Sequence, residues 1–168
     1  MQKNIRIGYL FSIEIQVQAA LPVILAALFM TDLFTWFFTH NFWALSVLAI
    51  CFWGQMILHE LGHALFARKC FIHTRAISLT LRGGHAQLLR LPATRKERIG
   101  VFAAGPMVNI LSLLLIGAMV FLTNIFNHVS AVFGTHLFML SLLLTAVSLI
   151  PLRTFDVWHI YREFAAAA

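Results

Sequence analysis

The stretch WGQMILHELGHALFARK, residues 53–69, puts His59, Glu60 and His63 inside an otherwise apolar run. On a helix His59 and His63 stand at i and i+4, so both imidazoles share one face with Glu60 beside them. A charged side chain near the centre of a membrane-crossing helix costs about 2.5 to 3.5 kcal/mol even on lenient insertion scales. Three ionisable groups within about one turn therefore call for a compensating interaction. A bound zinc ion, worth on the order of 10 kcal/mol, is large enough to offset them. The competing reading is a helix whose polar groups only hydrogen-bond to their neighbours, and it has to account for all three groups at once.

The rest of the chain sets the medium. Its 168 residues are 61% hydrophobic and 11% charged, with a mean hydropathy of +0.87, which excludes an ordinary soluble globular domain and indicates an integral membrane protein. No internal repeat or Pro/Gly/Ser linker divides the sequence, so residues 1–168 are expected to form a single domain. Two cysteines, Cys51 and Cys70, do not make a disulfide framework. The N-terminal MQKNIRIGYLFSIEIQVQ lacks the short apolar core and small-residue cleavage site of a signal peptide, so the first apolar segment is expected to be retained.

Crossing a hydrocarbon core of about 30 Å takes roughly 20 helical residues. Four segments qualify, at about 19–38, 43–66, 99–123 and 132–152. IRIGYLFSIEIQ, ahead of the first, predicts a short interfacial strand, and AISLTLRGGHAQLL predicts a β-hairpin turning at Gly83 and Gly84. The expected fold class is thus an all-α integral membrane protein of about four transmembrane helices, with a small membrane-associated β-hairpin between the second and third.

All twelve Lys and Arg fall in three groups: Lys3 and Arg6; the block from Arg68 to Arg98; and Arg153 with Arg162. The connections near 39–42 and 124–131 carry none. By the positive-inside rule both termini and the basic central loop face the cytoplasm of a multi-pass protein, expected in a prokaryotic cell membrane. The net charge of +6 is read as this topology signal and not as nucleic-acid binding, since the cations form no continuous basic face.

Zinc held by two histidines takes a third protein ligand and keeps one position open. With the second and fourth spans both running inward, Asp156 in SLIPLRTFDVWHIYR arrives at the side where His59 and His63 sit, after Pro151 has broken the helix. Asp32 lies toward the outer face and Glu14 precedes the first span. The competing reading of Asp156 is a solvated carboxylate between Arg153 and Arg162.

HELGH at 59–63, AAGPMVN at 103–109 and SLIPLRTFD at 148–156, in that order, make the chain resemble the site-2 proteases, a family of intramembrane zinc metalloproteases. The resemblance covers nearly the whole chain. Members show an Asn-x-x-Pro stretch leading to Leu-Asp-Gly; here Ser148, Phe155 and Val157 stand where the family has Asn, Leu and Gly, while Pro151 and Asp156 match. It implies a metalloprotease acting on transmembrane protein substrates in the lipid bilayer. Glu60 would be the general base, and Asn109 the donor to an anionic intermediate, with Ser148 a weaker donor. For Asn109 a helix-packing role competes. Since extended chain inside a membrane needs hydrogen-bond partners, the hairpin around 76–90 with Gly83 and Gly84 is expected to hold unwound substrate by strand addition, with Leu79 and Leu81 at its edge.

Two other classes stay open: a catalytically silent relative that binds transmembrane helices, and a metal-ion transporter. His85 is read as a loop histidine facing water, His73 and His159 as interfacial, and His40, His128 and His136 as lying toward the outer face. Gly54, Gly62 and Gly105 are read as allowing close helix packing.

Overall fold

The computed structural model describes residues 4–39, 44–81, 83–126, 128–150 and 156–165; Lys3, His40, Arg82, Pro151, Arg153 and Phe155, used above, lie outside them. The element order is β1 (Asn4–Leu10), β2 (Ile13–Gln18), α1 (Ala20–Thr39), α2 (Ala44–Lys69), β3 (Thr74–Thr80), β4 (Gly83–Leu88), α3 (Arg95–Phe126), α4 (His128–Leu149) and α5 (Asp156–Ala165).

The architecture is mostly helical, but the sheet is larger than the sequence suggests. Four strands lie in the order β1-β2-β3-β4, with β2 and β3 parallel and the outer pairs antiparallel. The single interfacial strand expected near the N-terminus is instead a hairpin. Its two-residue loop is Phe11 and Ser12, both left-handed (φ 51° and 68°), as a tight turn matched to strand twist requires. A register shift between Arg6 and Gly8 breaks the alternation that would have revealed β1. Gly83 and Gly84 are not the turn of the second hairpin: β3 ends at Thr80 and both glycines open β4. Leu79 is likewise not at an edge. It is 2% exposed on β3, which pairs on both sides; among the described residues the edge strands are β1 and β4.

Parallel strands need a long crossover, and here it is the α1–α2 pair. Asp32 ties that pair together by accepting the Ser46 backbone N–H at 2.8 Å and the Ser46 hydroxyl at 2.5 Å, which satisfies free donors in the first turn of α2. At its other end α2 packs on the sheet. Ile13, Leu61, Ala64 and Ile77 form one buried cluster; Val17, Leu21 and Leu79 meet Trp53, Met56 and Ile57 in a second; Ala67, Ile72 and Val101 form a third. The helix stops in a Schellman motif, with Ile72 N–H on Ala67 O at 2.9 Å and Phe71 N–H on Arg68 O at 3.0 Å. Phe71 takes the left-handed position usually given to glycine (φ 57°). A capping box opens α3, in which Thr94 Oγ1 accepts the Glu97 N–H at 3.2 Å and the Glu97 carboxylate accepts the Ala93 N–H at 2.8 Å.

Large apolar side chains such as Phe34, Leu114, Met119, Phe121 and Leu143 stand exposed on α1, α3 and α4. Among the described residues, Arg95–Leu122 of α3 is the one stretch long and apolar enough to cross a membrane, while Ala20–Thr35 and Gly134–Leu149 are shorter apolar runs.

Candidate metal centre and active-site cavity

His59 and His63 project from one face of α2, and the first residue of α5 meets them. Asp156 Oδ2 lies 3.0 Å from His59 Nε2 and 3.2 Å from His63 Nε2, and the two Nε2 atoms are 3.2 Å apart. Ligands bonded at 2.0 to 2.1 Å around a tetrahedral ion stand about 3.3 Å from one another, so this triangle fits one face of a zinc site. His63 is further set for ligation: its Nδ1 donates to Val101 O at 2.7 Å, leaving the Nε2 lone pair free to face the others. Burial pushes the Asp156 carboxyl up, but the ring nitrogens of His59 and His63 outweigh it and hold the group below the ordinary carboxylate range. The donor set is thus two imidazoles and one carboxylate converging on a point, and it fits zinc.

Three glycines make this arrangement possible. Gly62 lets α3 approach α2, since an added Cβ would sit 2.7 Å from Ala104 O. Gly105 faces the ligands themselves, where a methyl would overlap His63 Nε2 and sit 2.7 Å from His59 Nε2. That is a closer constraint than helix packing. Gly84 on β4 gives room to Glu60, whose Cγ would be 2.6 Å from a Cβ there. Gly84→Ala is therefore expected to keep its zinc while displacing the carboxylate, and a shift of about 1 Å costs roughly a hundredfold in rate. Metal analysis beside a turnover assay checks this, and an unchanged rate would free Gly84 of that role.

His59, Glu60, His63, Gly83, Gly84, Asn109, Ser148 and Asp156 all line one cavity of about 960 Å³, although they come from α2, β4, α3, α4 and α5. Glu60 is buried beside the metal triangle without being part of it, and the Ala86 backbone N–H is directed at its carboxylate. Asn109 is 4% exposed and its Oδ1 has no hydrogen-bond partner among the described residues. The Ser148 hydroxyl donates to Thr145 O at 2.8 Å, which uses its only proton. His85 is not on a loop: it sits on β4 and lines the cavity. Gln55, which also lines it and donates to Ser141 Oγ at 3.0 Å, escaped the sequence reading although it lies one turn before His59 on the same face.

The sequence profile of Peptidase family M50 matches residues 47–134. The chain belongs to that family. A zinc metalloprotease from Methanocaldococcus jannaschii is 36% identical over 123 residues, covering 72% of this M50 chain and 34% of the relative. A Synechocystis relative is 31% identical over 160 residues, covering 90% of this chain and 41% of the relative. The chain thus spans between a third and a half of the length of these curated relatives. A solved site-2 protease from Methanocaldococcus jannaschii shares the fold, with a TM-score of 0.68 over 98% of this chain and 73% of that one, at 21% identity. The profile match contains HELGH and Asn109 but ends before Asp156, so the third donor rests on its distances to the two histidines.

Proposed function

We propose that this M50 chain is an intramembrane zinc endopeptidase that hydrolyses peptide bonds within transmembrane segments of other membrane proteins. One observation carries the reading: the His59–His63–Asp156 triangle and Glu60 line the same cavity as β4, whose other edge pairs with no strand among the described residues. Such an edge can pair with extended substrate, and a transmembrane helix unwound in apolar surroundings needs partners for its freed backbone groups.

Zinc, when held by His59, His63 and Asp156, supplies Lewis-acid polarisation of the scissile carbonyl and lowers the pKa of water. Glu60 takes the proton from that water and hands it to the leaving amine, a role suited to a carboxylate beside the ligands but outside the triangle. The Asn109 amide offers a donor for the negative charge that develops on the carbonyl oxygen. Ser148, its proton committed to Thr145, forms cavity wall beside the substrate. Gly83 and Gly84 leave the start of β4 without bulky side chains, so an incoming backbone can come close.

In this reading α1 to α4 are four spans of a single domain, their exposed apolar faces meet lipid, and both termini are cytoplasmic in a prokaryotic membrane. The product is released toward the cytoplasm. The decisive experiment uses a panel of tagged single-span proteins, with and without helix-breaking residues near the inner boundary, reconstituted with zinc-loaded protein. Cleavage is expected, and faster where helix breakers lower the cost of unwinding. Zinc-loaded protein that binds the panel but cuts none of it would replace this reading with the silent relative.

Strand addition has its own test. In a protein with Cys51→Ser, Cys70→Ser, Glu60→Gln and His85→Cys, substrates carrying single cysteines at successive positions are expected to cross-link at every second residue, the period of a strand. A period near 3.6 would mean that substrate lies in the cavity as a helix.

A further inference from the structure

Asp156 is the donor with the least support from its own neighbourhood in the chain. His59 and His63 share one turn of a long helix, whereas Asp156 begins α5, a ten-residue helix that packs mainly on α3. What fixes α5 on α3 therefore fixes the third donor.

The contact is a ladder of three rungs between antiparallel helices. Arg98, Phe102 and Gly105 follow one another at i, i+4 and i+7 along one stripe of α3, and Glu163, His159 and Asp156 descend one stripe of α5. On the first rung Arg98 grips Glu163 with two bonds, Nε to Oε1 at 2.7 Å and Nη2 to Oε2 at 3.1 Å. The guanidinium is itself held by Nη1 donating to Ala93 O at 2.6 Å, so the fork is in place before Glu163 meets it. On the second rung the Phe102 and His159 rings stack at 4.4 Å with an angle of 12° between planes. The third rung is the metal triangle, where Gly105 abuts both Nε2 atoms and Asp156 reaches them.

We propose that Arg98 with Glu163, and Phe102 with His159, are positioning pairs that dock α5 on α3 and so deliver Asp156 to the two histidines, making zinc affinity a function of contacts one and two turns away from the ligands. This rests on the assignment of Asp156 as a ligand, though not on any cleavage activity. Two further facts support it. The fork geometry is planar and bidentate, which orients α5 as well as attracting it. Arg98 also holds the Glu163 carboxyl below its ordinary range, with Arg95 and Arg162 adding to the effect, so the pair is ionised at neutral pH.

The experiment reads zinc affinity by competition with a chelator, and amide hydrogen exchange of α5 in metal-free protein, on the whole chain in detergent. Arg98→Met, Glu163→Gln and Phe102→Ala are each expected to raise the zinc dissociation constant by roughly 10- to 100-fold, the usual effect of losing a group that orients a ligand. Each should also speed exchange across α5 while α2 stays protected. The swap Arg98→Glu with Glu163→Arg should recover at least half of the lost affinity, which a general folding defect would not allow. Affinity within twofold of wild type in all three single variants, or a swap no better than either single change, would overturn the ladder. Asp156→Ala separates the two layers: if it leaves zinc affinity unchanged, the ligand assignment falls and the ladder with it. If it weakens binding while the three pair variants do not, the ladder alone falls.

Discussion

Glu60→Gln is expected to lower turnover by about 10²- to 10⁴-fold, the usual contribution of a positioned general base, while zinc stays near one per chain. The expectation follows from position. Glu60 lines the cavity beside His59 and His63, yet its carboxylate is not among the three atoms that converge within 3.0 to 3.2 Å of one another. Gln keeps the shape and can still meet the Ala86 N–H through its amide oxygen, so the site should stay folded. What it cannot do is accept a proton from water. Steady-state cleavage of a panel substrate, with metal content measured on the same preparation, is the check. A variant that cuts at the wild-type rate would remove Glu60 from the chemistry. One that loses its metal as well would make Glu60 a structural part of the zinc site.

Gly105→Ala should abolish zinc binding without changing any ligand. The added methyl would overlap His63 Nε2 and lie 2.7 Å from His59 Nε2, and neither ring can retreat easily: His63 is held by Val101 O and both project from a rigid helix. His59→Ala, His63→Ala and Asp156→Ala should end in the same metal-free state by removing a donor, because a catalytic zinc site ordinarily has three protein ligands. Zinc titrated into purified protein distinguishes the four variants from wild type, and near-unity metal content in Gly105→Ala would show that α3 can shift to admit the methyl. Since Gly105 is seven residues from Arg98 on the same helical face, such a shift would also register in the docking of α5.

How much of this could be read in advance depended on the range of the signal. HELGH declared itself because helical periodicity alone stacks His59 over His63, and Asp156 was reached through the expectation that the second and fourth apolar segments run in the same direction. Asn109 and Ser148 were singled out by motif, but a motif says nothing about protons, and only the structure shows the Ser148 hydroxyl spent on Thr145 while Asn109 Oδ1 has no partner among the described residues. Gly62 was read as allowing close helix packing, and it does; Gly84 and Gly105 were read by local rules and misjudged for that reason. Gly84 looked like half of a turn, yet what requires glycine there is Glu60, 24 residues earlier; Gly105 answers to two imidazoles more than 40 residues away. The sheet was underestimated for a similar cause. Phe11 and Ser12 are not residues that advertise a tight turn, and nothing local can announce that β2 lies beside β3. Arg98 and Glu163, 65 positions apart, gave no pairing signal at all.

That parallel pairing of β2 with β3 has a consequence for the order of assembly. Residues 19–73 separate the two strands, so β2 is made first and waits while both helices of the crossover are synthesised. Closing so long a loop carries an entropic cost that is recovered only when α1 and α2 lie side by side and hold the ends together. Until then the β1–β2 hairpin has two open edges and its buried face, Ile13, Ile15 and Val17, has nothing to cover it. A nascent chain arrested before Thr74 should therefore still present the edge of β2 that β3 covers once the chain extends past it. The free edge of β4 and the His59–His63–Asp156 triangle both come into being after that moment, since Gly83–Leu88 and Asp156 follow the crossover in the chain.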